Sequence, residues 1–230
     1  MSENIKKIMK AFMADLDSEE NQRILNPNAR PFKTHQVDGV AEKIDKLIKN
    51  AQYSNDDIIL NHNKIKKAFF GPFKPQLKDA QVFLSHSHAD KNKALKVKNY
   101  LESETNHRVF IDSLFWDYKN NVLKEIKKHH IDVSKIEDAF TLILRESLQD
   151  MIEKCPYFVF LQSNNSVSNQ GLSHTTYSAW VYEELKIAHS IRESRPTPMM
   201  ESCQVSHNIS PFLESLETIT LSKLSHIINS

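Results

Sequence analysis

Hydrophobic residues change their spacing along this chain. In residues 1–78 they recur at helical spacing: Ile5, Ile8, Phe12 and Leu16, then Val40, Ile44, Leu47 and Ile48, then Ile58, Ile59, Ile65 and Phe69. Side chains so spaced share one face of a helix, which predicts three short amphipathic helices. Pro27, Pro31 and the segment Gly71-Pro72-Phe73-Lys74-Pro75 interrupt them, because proline lacks an amide hydrogen and disfavours helix at the residue before it. The last segment predicts a boundary between a helical N-terminal extension, 1–78, and a larger domain, 79–230. Three short helices bury little alone, so the extension is expected to pack on that domain or on a second copy.

Beyond residue 79 short apolar runs alternate with helical patterns, the texture of βα units in a parallel sheet. Val82-Phe83-Leu84, Val109-Phe110-Ile111 and residues 157–161 read as strands, and the unbroken apolar run of the third suits an interior position buried on both faces. A helix over 90–104 carries Ala94, Val97 and Leu101 on one face. A polar segment fills the 120s, and a helix then turns Ile136, Phe140, Ile143, Leu144, Ser147 and Met151 inward before Pro156. A loop rich in Ser and Asn leads to a helix over 177–192, with 199–205 and 219–221 as fainter strands. The predicted fold class is α/β: a five-stranded parallel sheet flanked by helices, in flavodoxin-like order. In such sheets ligands bind beyond the C-terminal ends of the strands, where strand order reverses. Residues 85–90, 112–118 and 163–180 occupy that edge.

Composition narrows the chemistry. The 230 residues, 40% hydrophobic and 26% charged, suffice for a full-sized core. Thirty basic and 29 acidic side chains leave a net charge of +1, so no global field draws the chain to nucleic acid or an anionic membrane. The basic run Lys124, Lys127, Lys128, His129 and His130 reads as a solvated helix face, since no aromatic interleaving accompanies it. No apolar run has the length of a signal-peptide core or a membrane span, and Cys155 and Cys203 stand in no metal-ligand or Cys-x-x-Cys spacing. A cytoplasmic protein with no membrane or nucleic-acid partner is expected. With only Gly39, Gly71 and Gly171, the chain has no glycine-rich phosphate loop, and any nucleotide phosphate needs another cradle.

Four segments then fall in a telling order: Val82-Phe83-Leu84-Ser85-His86-Ser87-His88-Ala89-Asp90-Lys91; Val109-Phe110-Ile111-Asp112; Phe158-Val159-Phe160-Leu161-Gln162-Ser163; and Ser178-Ala179-Trp180-Val181-Tyr182-Glu183-Glu184-Leu185. This series resembles the ordered motifs of TIR (Toll/interleukin receptor) domains, over about residues 79–192. In TIR domains that act on NAD the catalytic glutamate lies four residues after the tryptophan of the Ser-x-Trp motif. The resemblance places it at Glu184, not at Glu183, about 100° around the helix and expected to be nearly silent to substitution. Trp180 and Glu184, four apart on a helix, are expected to present an aromatic surface and a carboxylate together.

Cleavage of the nicotinamide–ribose bond develops positive charge on the ribose, which a fixed carboxylate stabilises. Nicotinamide is already a cationic leaving group in NAD, so a site with one carboxylate suffices. The competing structural reading makes Glu184 a solvated helix residue and Trp180 a core anchor. His86, Ser87 and His88 follow the first predicted strand, where backbone amides of a strand-to-helix turn can hold phosphates; they read equally as loop and cap residues, with Asp90 as helix N-cap. No further ligands converge on these histidines, so no metal is implied. Asp112-Ser113-Leu114-Phe115-Trp116-Asp117-Tyr118 occupies the place of the BB loop, which in relatives contacts NAD and mediates assembly. Here it lacks the usual glycine, and Phe115 and Trp116 either stack on a ligand ring or cover a lysine-rich insertion.

The resemblance implies an NAD-consuming hydrolase with Glu184 as catalytic residue. His86, Ser87, Asp112, Phe115, Trp116 and Trp180 are its NAD contacts, with NAD as substrate and no separate cofactor. Bacterial stand-alone TIR proteins of similar size serve anti-phage defence, for instance in Thoeris-type systems, where the TIR protein makes a nucleotide messenger for a separate effector. The alternative is a non-catalytic TIR adaptor binding other TIR domains. Either way a homo-oligomer is expected, through the TIR domain and the apolar faces of the N-terminal helices.

Overall fold

The structure, a computed structural model, describes residues 9–25, 38–50, 52–54, 57–59, 61–71, 79–128, 134–170, 173–193 and 207–230. The chain divides into two compact units, one of Met1–Arg30, Asp79–Ile111 and Gln149–Ser230, the other of Pro31–Lys78 and Asp112–Leu148.

The first unit holds the sheet. Its strands are β1 (Lys10–Asp15), β4 (Ala80–Ser85), β5 (Arg108–Ile111), β6 (Tyr157–Gln162) and β10 (Glu217–Thr218), all parallel, in the spatial order β10-β1-β6-β4-β5. Phe158, Val159, Phe160 and Leu161 have no exposed surface, as expected of an interior strand. Phe83 of β4 sits in register with Phe158, their rings stacked at 5.8 Å, and meets Phe110 of β5 at 5.4 Å. Each such ring contributes about 1.5–3 kcal/mol of burial, and the ring pairing adds to it. Helices α1 (Glu19–Leu25), α4 (Lys91–Thr105) and α9 (Leu221–Asn229) pack together, and α7 (Ala179–Glu193) packs against β4. Ala94, Val97 and Leu101 form the fully buried face of α4, as their spacing predicts.

The α/β class and the five-stranded parallel sheet flanked by helices are as expected, but the N-terminal third is not a helical extension. Lys10–Asp15 is a strand between β6 and β10, with Phe12 beside Val159 and Ala14 beside Leu161. In the flavodoxin-like arrangement counted from β4, the first strand of the chain fills the fourth place. The segment 199–205, expected there, lies outside the described residues. The fifth place falls to Glu217–Thr218, two residues before the expected 219–221; Ile219 still donates to Met13 O (2.9 Å), and Leu221 already begins α9. The physical reason is the composition of residues 9–14, where Lys10 alone is polar. A short apolar run suits a strand buried on both faces as well as it suits a helix, and Met9, Ala11, Phe12 and Ala14 are all buried. Buried Asn21 fixes the exit from β1, donating to Asp15 O (2.7 Å) and accepting from Leu221 N (2.9 Å).

The chain does pass from one unit to the other at 78/79, but residues 1–78 are not one body, because β1 belongs to the sheet. Within the second unit, helices α2 (Asp38–Lys49) and α3 (His62–Phe70) match the predicted apolar faces. A short hairpin, β2 (Gln52–Ser54) with β3 (Asp57–Ile59), replaces helix around Ile58 and Ile59. Val40, Ala41, Ile44, Ile48, Ile65 and Phe69 are buried inside the chain; Ile5 and Ile8 lie outside the described residues.

Two further expectations change. Residues 112–118 and the polar 120s form no loop: α5 (Ser113–Lys127) follows β5 after Asp112 alone. Its buried residues Tyr118, Val122 and Ile126 recur four apart, and Tyr118 meets Phe69 edge-on at 5.1 Å. Lys124, Lys127 and Lys128 are exposed, as a solvated face requires; His129 and His130 lie outside the described residues. Helix α6 (Ser134–Lys154) turns Phe140, Ile143, Leu144, Ser147 and Met151 inward as predicted. The Ser- and Asn-rich stretch before α7 holds β7 (Ser168–Gln170) and β8 (Ser173–Thr176), which pair antiparallel; β9 (His207–Asn208), beyond α7, adds to β8 and is followed by the short α8 (Ser210–Leu213). Among the described residues, no helix is long and apolar enough to cross a membrane.

Candidate active site

Strands β4 and β6 are neighbours, yet the chain leaves β4 for β5 on one side and leaves β6 towards β10 on the other. That divergence is the switch point at which open α/β sheets hold ligands. Three loops meet at this edge of the first unit, those following β1, β4 and β6.

Carboxylates tie them together. Asp90, 2% exposed, accepts from Asn165 Nδ2 (2.8 Å) and from Ser163 Oγ. Ser163 Oγ in turn accepts from the amides of Asn165 (3.0 Å) and Ser166 (3.2 Å). Asp17 accepts from Asn164 N (3.1 Å) and pairs with Lys93 Nζ (2.7 Å). The hydrogen bond from Lys93 holds the Asp17 carboxyl below its ordinary value, against the opposing effect of burial, and the Asn164 amide adds to the lowering. Asp90 is thus no side-chain N-cap: it makes no capping hydrogen bond to α4 and clamps the loop after β6 instead.

Helix α7 begins at a serine cap, Ser178 Oγ accepting from Val181 N (3.2 Å). Two turns in, Glu184 has no exposed surface and accepts a hydrogen bond of 2.5 Å from Ser85 Oγ, the last residue of β4. The reading of Glu184 as a solvated helix residue is therefore excluded. Trp180, one turn earlier, is half-buried. Glu183 is buried as well. It is 6% exposed and stands 3.9 Å from Lys186 Nζ, itself buried and 5.7 Å from the Tyr182 ring centre.

His86 and Ser87 directly follow Ser85 and are both buried, while His88 is exposed. Ser87 O accepts from Asp90 N (2.8 Å) in a short turn, His88–Asp90, that leads into α4. The structure thus brings Glu184 to Ser85 and so to the start of the predicted phosphate-binding stretch. Asp112, Phe115 and Trp116 belong to the second unit and are described with it. Asp112 is buried at the start of α5, and Phe115 and Trp116 lie in that helix, with side chains outside the described residues. Their assignment to a loop is corrected.

Sequence reasoning passed over Asp17 because it lay within a pattern read as helix. The partners of Asp17 and Asp90 are distant in the chain, and no local spacing announces them. Among the described residues no group of three His, Cys, Asp or Glu side chains is placed to hold a metal ion. The chemistry of this edge stands on its own residues: no protein-family model, curated protein or solved structure matches this chain.

Proposed function

We propose that this chain is an NAD-consuming enzyme of the TIR kind that cleaves the nicotinamide–ribose bond, with Glu184 as its catalytic carboxylate. The observation that carries the reading is Glu184 itself: a fully buried carboxylate, held by Ser85, at the switch point of a parallel sheet. Burying an ionisable group is costly, and chains retain one in such a place where charge does work.

The bond between the ribose anomeric carbon and the nicotinamide nitrogen breaks with its electron pair going to nitrogen, which neutralises the ring. The carboxylate stabilises the cation left on the ribose. Water adds at that carbon and releases a proton, giving ADP-ribose; attack by an adenine or ribose atom of the same molecule gives a cyclic product. Trp180, half-buried one turn before Glu184, offers a face for the leaving ring, and the His86–Ser87 stretch offers backbone amides to phosphate. In this reading the product serves as a nucleotide signal to a separate effector in anti-phage defence, and the chain is cytoplasmic.

The complete burial of Glu184 is the one observation favouring the alternative, a non-catalytic adaptor acting by TIR–TIR contact. NAD has to part the surrounding side chains to reach it. Incubating the full chain with NAD and identifying products by mass spectrometry decides between them. Nicotinamide with ADP-ribose or a cyclic isomer supports the enzyme, and intact NAD supports the adaptor.

A further inference from the structure

We propose that Ser85 is a positioning residue that acts on the substrate through Glu184; this rests on the reading of Glu184 as the NAD-cleaving carboxylate. Ser85 closes β4, where its backbone lies in register with Phe160 of β6, and its side chain has no exposed surface. Its hydroxyl donates to Glu184 Oε2 at 2.5 Å, joining positions 99 residues apart in the chain.

Two consequences follow from a donor fixed to the end of a strand. The terminal torsion of a glutamate is broad, and a hydrogen bond from a rigid neighbour holds the carboxyl plane in one orientation. A hydrogen bond to the ionised form also favours that form over the protonated one, and only the ionised form stabilises a developing cation. Two other carboxylates at this edge are held by partners of their own, Asp90 by Ser163 and Asn165, and Asp17 by Lys93 and Asn164; His86, the next residue after Ser85, is buried, and Glu183 and Lys186 flank Glu184 on α7.

The test is the pH dependence of NAD cleavage by the full chain, measured for the wild type, Ser85→Ala, Ser85→Thr and Glu184→Gln. Removing one hydrogen bond to a charged group is expected to lower kcat roughly ten- to a hundredfold in Ser85→Ala, with KM little changed. The acid limb of the profile moves to higher pH, because Glu184 protonates more readily without its donor. Ser85→Thr, which keeps the hydroxyl, restores both. Wild-type kcat in Ser85→Ala overturns the proposal, and so does a loss of kcat that leaves the acid limb in place, the mark of a merely structural role. Should the alanine chain not fold, Ser85→Cys, with a weaker donor of similar shape, is read the same way and must show a smaller shift in the same direction. A wild type inert towards NAD overturns the Glu184 reading and this proposal with it. A wild type that is active, abolished by Glu184→Gln and unmoved by Ser85→Ala overturns the Ser85 role alone.

Discussion

Lys93, in the first turn of α4, places its ammonium 2.7 Å from the carboxylate of Asp17 on the loop leaving β1. The pair joins the loop after β1 to the helix after β4, and through Asn164 N to the loop after β6. Its pH dependence has a definite sign. Asp17 titrates below its ordinary value of 3.8 in the folded chain, so its contribution to stability is complete above that value and is lost as pH falls through the lower native one. Both side chains are about a third exposed, 35% and 37%, so the contribution is that of a screened surface pair, about 0.2–1 kcal/mol. Asp17→Asn is expected to lower Tm at pH 7 and to melt together with the wild type below the native titration. Calorimetry across that range checks it; a difference that persists in acid contradicts the pairing.

Cys155, 1% exposed, directs its thiol to Ala80 O, and burial pushes its titration up to about 12 despite the opposing effect of Lys154. Thiolate is the reactive form, so Cys155 is expected to resist alkylation at pH 8 until the chain unfolds. Labelling in a Cys203→Ser background, native against denatured, isolates it. Rapid native labelling would contradict its place in the core.

The N-terminal strand makes a stronger demand. Since β1 pairs with β6 on one side and β10 on the other, a chain beginning at Asp79 loses an interior strand and leaves two edges unpaired. Such a truncation is expected to yield no cooperatively folded domain. Phe12→Ala, in the intact chain and at a residue 3% exposed, is expected to cost about 3–5 kcal/mol. Chemical denaturation measures both. A sharp transition from the truncated chain would restore the boundary at 78/79.

That boundary shows where sequence pattern stops being informative. The face Ala94, Val97, Leu101 was legible from its helical period, and residues 157–161 from an aromatic and β-branched content that residues 9–14 lack. Residues 9–14 admit two, and what makes them a strand is the gap between β6 and β10, which no local spacing encodes. Residues 112–118 were legible as a helix, from Tyr118, Val122 and Ile126 spaced four apart, but the expected motif order gave that stretch to a loop. The motif singled out Glu184 as a candidate but not its pairing with Ser85, because their bond spans 99 residues. The burial of Glu183 was not legible because α7 is buried nearly all round, from Val181 through Glu183 to Ala188, and a helix so enclosed offers its second carboxylate no solvent face.

The most direct measurement is the rate of NAD cleavage by Glu184→Gln beside the wild type, each shown by circular dichroism to be folded. Glutamine keeps the size and an acceptor for Ser85 Oγ while deleting the charge. Loss of one preorganised electrostatic contact lowers kcat about a hundred- to a thousandfold, or roughly 2.7–4 kcal/mol. Glu104→Gln, an exposed carboxylate on α4, supplies the control that buried Glu183 does not, and is expected to match the wild type. A wild type that releases nicotinamide while Glu184→Gln falls by at least a hundredfold is the predicted result. A folded Glu184→Gln that keeps most of the activity, or a wild type that leaves NAD intact, would contradict it.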